Sequence, residues 1–227
     1  MKFEKIDLGY LYESNNIRLL FGNRNSQLVN LQQKFPQIQF HRVKQNHGDQ
    51  IFNCIDSTSD WTIIADSQMT DKKNIALCIS TADCIPVMIF DIKTKKIAAI
   101  HAGWRGVVNL ITVKTIRLMI EQGSELSNFK IYIGPHIQKE SFEVGDDVAE
   151  LIHQTVKLNL RSTDEITELG KRKIDLHQIF LQQLFELGIK QNQISELKID
   201  TVVDQDFHSF RRDKEKSGRQ LSFISMI

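Results

Sequence analysis

The stretch Thr81–Gly106, TADCIPVMIFDIKTKKIAAIHAGWRG, limits the fold more than any other part of the chain. Two short apolar runs, IPVMIF and KIAAI, flank the polar DIKTKK, which has the composition of a hairpin turn. With Ile92 and Lys93 as central turn residues, or a four-residue loop from Asp91 to Thr94, the antiparallel register sets Cys84 directly opposite His101. Directly opposed Cβ atoms lie about 4.5–5.5 Å apart. A thiolate at about 2.3 Å and an imidazole at about 2.0 Å could then share one zinc ion. A turn one residue longer would move the partner of Cys84. The plainer reading of a Cys and a His near a strand end is core filling.

The chain has 227 residues, which suits one α/β or α+β unit, and we expect a single domain over 1–227. IRLLFG (17–22), IQFHRVKQ (38–45), IFNCI (51–55), WTIIAD (61–66), IALCIST (75–81), FKIYIGP (129–135), LKIDTVV (197–203) and QLSFISMI (220–227) read as strands. LVNLQQKF before Pro36, VVNLITVKTIRLMIEQG and GDDVAELIHQTVKL read as helices, with His153 on the surface or flank of the last. DLHQIFLQQLFELG is the clearest helix, with Asp175 as N-cap, Gln178 as its capping-box partner and Gly188 after the last turn. His177 in its first turn needs no function. His47 sits in the turn cluster NHGD at a strand end.

Charge narrows the partners. Lys plus Arg number 29 against 28 Asp plus Glu, so no global field draws the chain to nucleic acid or to an anionic membrane. The basic loop 204–219 interleaves Asp206, Asp213 and Glu215 among its cations, which suits a solvated loop with one or two functional arginines better than a phosphate-tracking surface. The N-terminal MKFEKIDLGYLYESNN lacks the apolar core of a signal peptide, and no apolar run approaches the length of a membrane span. A soluble cytoplasmic protein is expected. Cys54, Cys78 and Cys84 are an odd count without CxxC spacing, which points to reduced thiols. Cys54 and Cys78 read as core.

FGNRNSQ, QNHG, Ala65–Asp66, TADCIPVMIFD, AAIHAGWRG, IGPHIQKESFEVG and FHSFRRDKEKSGRQ, in that order, resemble the blocks of the YfiH-like family. Its members were long labelled polyphenol oxidase or laccase-domain proteins and later understood as purine nucleoside phosphorylases with adenosine deaminase activity. The resemblance covers nearly the whole chain. It implies a layered α+β sandwich of mixed and antiparallel sheets flanked by helices. It also implies a catalytic metal held by the His of Q-x-H-G, the Cys of T-A-D-C and the His of H-A-G-W-R-G, which are His47, Cys84 and His101 here. The expected function is zinc-dependent phosphorolysis of adenosine or inosine, with methylthioadenosine as a further candidate, to base and ribose 1-phosphate, together with adenosine deamination. The partners are then a small nucleoside and phosphate, with no obligatory protein partner. His136 stands where many members have Cys after I-G-P, and IDTVVDQD lacks another Cys of the family, so roles of those thiols are not carried over.

Three protein ligands with a fourth position open are the pattern of a catalytic zinc. Copper fits the same donors. Deamination at C6 of adenine requires an activated water and an acid/base, for which Asp83 and His136 are candidates. Arg24 and Arg105 are the expected substrate-binding residues, because the guanidinium fork suits phosphate. A copper-dependent phenol oxidase is the rival enzyme, although a multicopper centre uses H-x-H pairs and the seven histidines include none. A Cys-His hydrolase, with Cys84 as nucleophile and His101 as base, is another.

Overall fold

The computed structural model describes residues 2–14, 16–54 and 62–227. Its strands are β1 (Glu4–Ile6), β2 (Gly9–Glu13), β3 (Ile17–Gly22), β4 (Gln39–Arg42), β5 (Ile51–Asn53), β6 (Ser67–Thr70), β7 (Ile75–Thr81) and β8 (Ile85–Asp91). They continue with β9 (Ile97–Ala102), β10 (Phe129–Ile133), β11 (Glu143–Val144), β12 (Glu165–Ile166), β13 (Arg172–Lys173), β14 (Ile194–Glu196) and β15 (Gln220–Met226). The helices are α1 (Leu28–Lys34), α2 (Trp104–Val108), α3 (Ile111–Glu121), α4 (Asp146–His153), α5 (Leu176–Leu187) and α6 (Phe210–Asp213).

Two six-stranded sheets carry the fold, in the orders β1-β2-β3-β15-β7-β4 and β14-β10-β8-β9-β6-β5, with a small sheet β11-β13-β12 beside them. Most neighbours are antiparallel, while β4–β7, β5–β6 and β10–β14 are parallel. Side chains alternate across each strand, and that alternation sorts the core into three apolar layers. Leu77 and Ile79 of β7 meet Met88, Phe90, Ala99 and Tyr132 between the two sheets. On the outer face of the first sheet, Leu20, Cys78 and Phe223 pack against Leu31 and Phe35 at α1. On the outer face of the second, Val87, Ile89 and Ile100 pack against α3 and α5 through Ile116, Met119, Phe180 and Leu184. The result is the expected layered α+β sandwich, sheets inside and helices outside.

The hairpin β8–β9 forms, with a different register. Pro86, not Cys84, lies opposite His101, and Ile85 lies opposite Ala102. The turn is the four-residue loop Ile92–Lys95, closed by the Asp91 N–H to Lys96 O bond of 2.9 Å, with Lys95 left-handed at φ 58°. The register is offset by an even number of positions, so no side chain changes face. Cys84 and His101 become diagonal neighbours on the same face instead of direct partners.

Other expectations also change. The helix after the hairpin divides into α2 and α3 at Leu110, φ 58°, and the break admits both Val107 and Ile111 to one core. LKIDTVV is irregular, because the Asp200 carboxylate captures the Val202 N–H at 2.9 Å and turns the chain; the strand here is β14, just before it. Trp61 lies outside the described residues, and the rest of WTIIAD makes only an isolated bridge, Ile64 to Lys44. His153 is buried and bonded to Asp164 at 2.8 Å, where a surface position was expected. Among the described residues no helix is long and apolar enough to cross a membrane.

Candidate metal centre

The three candidate ligands arrive from different parts of the fold. Beyond β4, Gln45 is tied to β7 by a reciprocal pair of bonds with Ser80, 2.9 and 2.7 Å. The next three residues, Asn46, His47 and Gly48, all donate backbone N–H to the Asp66 carboxylate at 3.1, 3.1 and 2.8 Å. His47 takes the left-handed conformation, φ 61°, and is exposed. Cys84 precedes β8 and follows Asp83, itself at φ 82°. His101 lies in β9 with 3% exposure.

One ligand atom from each of His47, Cys84 and His101 lies within 4.8 Å of the others, a spacing that suits one ion. The two imidazoles meet edge to face, centroids 4.9 Å apart. His101 Nδ1 donates to Asp66 Oδ1 at 2.6 Å, which leaves Nε2 as the free donor atom. Among the described residues this is the single cluster of three or more such donors. Its donor set, one thiolate and two imidazoles, fits zinc or copper.

Electrostatics favour a cation between these groups. Burial opposes ionisation of Asp66, yet the His101 contact and the N–H groups of Gly48 and Asn46 hold its carboxyl below the usual range. Burial likewise opposes the Cys84 thiolate, and the facing imidazoles of His101 and His47 overcome it and lower the thiol. For His101, burial disfavours the charge while Cys84 and Asp66 raise it. A metal ion bound there would replace that shared proton.

The cluster opens into a cleft of about 650 Å³. Trp104, Phe142 and Phe210 provide aromatic surface, and Lys44, Arg105, Arg211, Lys214 and Arg219 provide positive charge. Arg211 spends its guanidinium on the carbonyls of Ser141 and Glu143, both at 3.0 Å, and Arg219 on those of Ser217 and Gly218. Lys44, Arg105 and Lys214 have no carboxylate partner among the described residues, and Arg105 lies over the Trp104 ring at 4.4 Å. Among the described residues Asp83 is the one acid in the lining, and its two oxygens already accept from Thr201 Oγ1 at 2.8 Å and the Arg211 N–H at 2.6 Å.

The expected site residues therefore divide. His47, Cys84, His101 and Arg105 share the cleft. Arg24 is not part of its lining, because its guanidinium turns to the Phe207 carbonyl at 3.1 Å and to Asp213. His136 is fully buried, donates Nδ1–H to Gly134 O at 2.8 Å and stacks on His177. Burial and the His177 neighbour push its pKa down to about 3, so the ring is neutral at neutral pH and offers no imidazolium as a general acid. Sequence reasoning missed the position of Asp66 between two candidate ligands, and Lys44 and Lys214, which have no carboxylate partner among the described residues. The acid directly before the wholly buried β6 was the available signal for Asp66, since a buried acid requires partners.

The family described as multi-copper polyphenol oxidoreductase laccase matches residues 10–227. A purine nucleoside phosphorylase of Bacteroides thetaiotaomicron is 40% identical over 161 residues, 70% of this chain and 60% of that protein, so the alignment spans less than two thirds of the relative's length. One of Clostridium acetobutylicum is 33% identical over 212 residues, 92% of this chain and 85% of the relative. The adenosine deaminase RL5 of an unknown prokaryotic organism is 31% identical over 163 residues, 70% of this chain and 61% of the relative. The crystal structure of the hypothetical protein YfiH of Bacillus licheniformis has a TM-score of 0.89 at 24% identity and covers 99% of both chains, a likeness of fold.

Proposed function

Since the chain belongs to the YfiH-like family, the one described as multi-copper polyphenol oxidoreductase laccase, we propose that it is a purine nucleoside phosphorylase that also deaminates adenosine, using zinc held by His47, Cys84 and His101. The observation that carries this reading is the convergence of those three donors, within 4.8 Å, at the wall of a cleft whose cations include three without a carboxylate partner among the described residues. Relatives named purine nucleoside phosphorylase support the substrate class. The deaminase half rests on the relative of that name. Bound there, zinc supplies Lewis acidity and activates water near neutral pH.

The residues of the chain supply the rest. Trp104, Phe142 and Phe210 offer flat apolar surface for a purine, and Lys44, Arg105 and Lys214 offer charge to hold phosphate on the ribose side. Arg24 has no part in this arrangement. A copper phenol oxidase remains the second reading because the same three donors accept copper. A Cys-His hydrolase would work without metal.

The deciding experiment incubates the zinc-loaded protein with adenosine, with and without phosphate, and separates the products. Inosine should form in either buffer, and ribose 1-phosphate with free base only with phosphate. His101→Ala should abolish both and lose the metal. Lys214→Ala should keep zinc and inosine formation while raising KM for phosphate roughly tenfold or more, the effect of one charge-assisted contact. Phenol oxidation without nucleoside turnover would transfer the function to copper. Full turnover in metal-free protein, lost on alkylation of Cys84, would favour the hydrolase.

A further inference from the structure

Asp66 has no exposed surface, and both of its carboxylate oxygens are saturated. Oδ1 accepts from His47 N at 3.1 Å and from His101 Nδ1 at 2.6 Å, while Oδ2 accepts from Asn46 N at 3.1 Å and Gly48 N at 2.8 Å. Its own carbonyl receives the His101 N–H at 2.7 Å. A carboxylate offers about four acceptor positions, and all are filled. A wholly buried carboxylate is costly to keep unless it is paired in this way.

The two histidines it bonds, His47 through its backbone N–H and His101 through its ring, come from separate layers. His47 lies in the loop that follows β4 of the first sheet, and His101 lies in β9 of the second. His47 is left-handed, a conformation costly for a residue with a side chain, and three consecutive N–H groups aimed at one anion offset that cost. The bond to His101 Nδ1 fixes the tautomer and the ring orientation that aim Nε2 at the centre of the cluster. We propose that Asp66 is the positioning residue of the metal centre, one carboxylate that sets the His47 loop and the His101 ring against each other so that both imidazoles meet the ion. The proposal rests on the reading of His47, Cys84 and His101 as metal ligands.

The test compares wild-type protein, Asp66→Asn and Leu31→Ala, the last a destabilising cavity in the separate apolar layer under α1. Zinc affinity is measured by competition with a chromophoric chelator, and the visible spectrum is recorded after cobalt substitution. Asp66→Asn should lower zinc affinity about 10–100-fold. It should also alter the ligand-field bands of cobalt while the thiolate charge-transfer band of Cys84 persists. At saturating zinc, kcat should fall more than KM for the nucleoside. Leu31→Ala should keep wild-type zinc affinity despite a lower Tm. Wild-type affinity and spectrum in Asp66→Asn, or an equal loss of affinity in Leu31→Ala, would overturn the positioning role. If Asp66→Asn does not fold, hydrogen exchange on metal-free wild-type protein decides: the amides of Asn46, His47 and Gly48 should be protected, and free-loop rates would overturn the clamp. Wild-type protein that binds no zinc would instead overturn the metal reading beneath it.

Discussion

Gly103, directly after β9, leaves only tight space for a side chain. A Cβ there would lie 3.0 Å from Cys84 Sγ and 3.2 Å from Cδ2 of His47, touching two of the three candidate ligands. Crowding of this kind typically costs about 1–3 kcal/mol, which corresponds to roughly 5–150-fold in an affinity when it falls on the bound geometry. Gly103→Ala should therefore weaken zinc binding by roughly 5–150-fold in chelator competition, with secondary structure intact by circular dichroism. Unchanged affinity would show that the thiolate and the His47 ring can yield without cost. The same scale shows where reading single residues fails. His153 reads in sequence as a surface or flank residue and His177 as a first-turn residue that needs no function, yet each is buried and paired with a carboxylate, Asp164 and Glu196. Their partners lie 11 and 19 positions away, so no local pattern reveals them.

Among the elements, the β8–β9 hairpin was the most legible, and its turn was the part misjudged. Asp91 decides the turn. Its buried carboxylate accepts the N–H groups of Lys93 and Thr94 at 2.8 and 3.1 Å and the Thr94 hydroxyl at 2.7 Å, which places four residues in the loop and shifts the register. Burial opposes the charge on Asp91, but the hydroxyls of Ser124 and Thr94 and those N–H groups hold its carboxyl below the usual range. Asp91→Ala should cost about 1–3 kcal/mol, the penalty for buried donors left unpaired, measured by urea denaturation. A group lowered in the folded state contributes its stability above its unfolded pKa, about 3.9, and loses it as pH falls through the folded value. The advantage of wild type over Asp91→Asn should thus be full at neutral pH and shrink below about pH 4. An advantage independent of pH would remove the charge from the explanation. Helix α5 was read nearly as it stands, because its signals are local: Asp175 accepts the Gln178 N–H at 2.8 Å and Gly188 adopts φ 106°.

On the scale of the whole molecule, the close approach of the two sheets sets the geometry of the site. Gly134 follows β10 of the second sheet, and a Cβ there would lie 2.2 Å from the ring of Phe21 in β3 of the first. Gly134→Ala must push the layers apart or displace the buried Phe21. A cost of about 1–3 kcal/mol lowers Tm by roughly 2–12 °C in a chain of this size, and an unchanged Tm would mean that the layers have slack. From the sequence alone came the strand-rich order, the capped helices, and a Cys and a His on one face of a single hairpin. All depend on neighbours in the chain, through side-chain alternation, turn chemistry and caps. His47 entered only through a family resemblance, since a loop after a strand has no register of its own. Asp66 joining His47 to His101, Arg24 drawn to Phe207, and Lys44 and Lys214 brought around one cleft were decided by the tertiary structure. Hydrogen bonds between residues 35 or 183 positions apart exist only once the layers have packed, and packing is a property of the folded chain rather than of any segment.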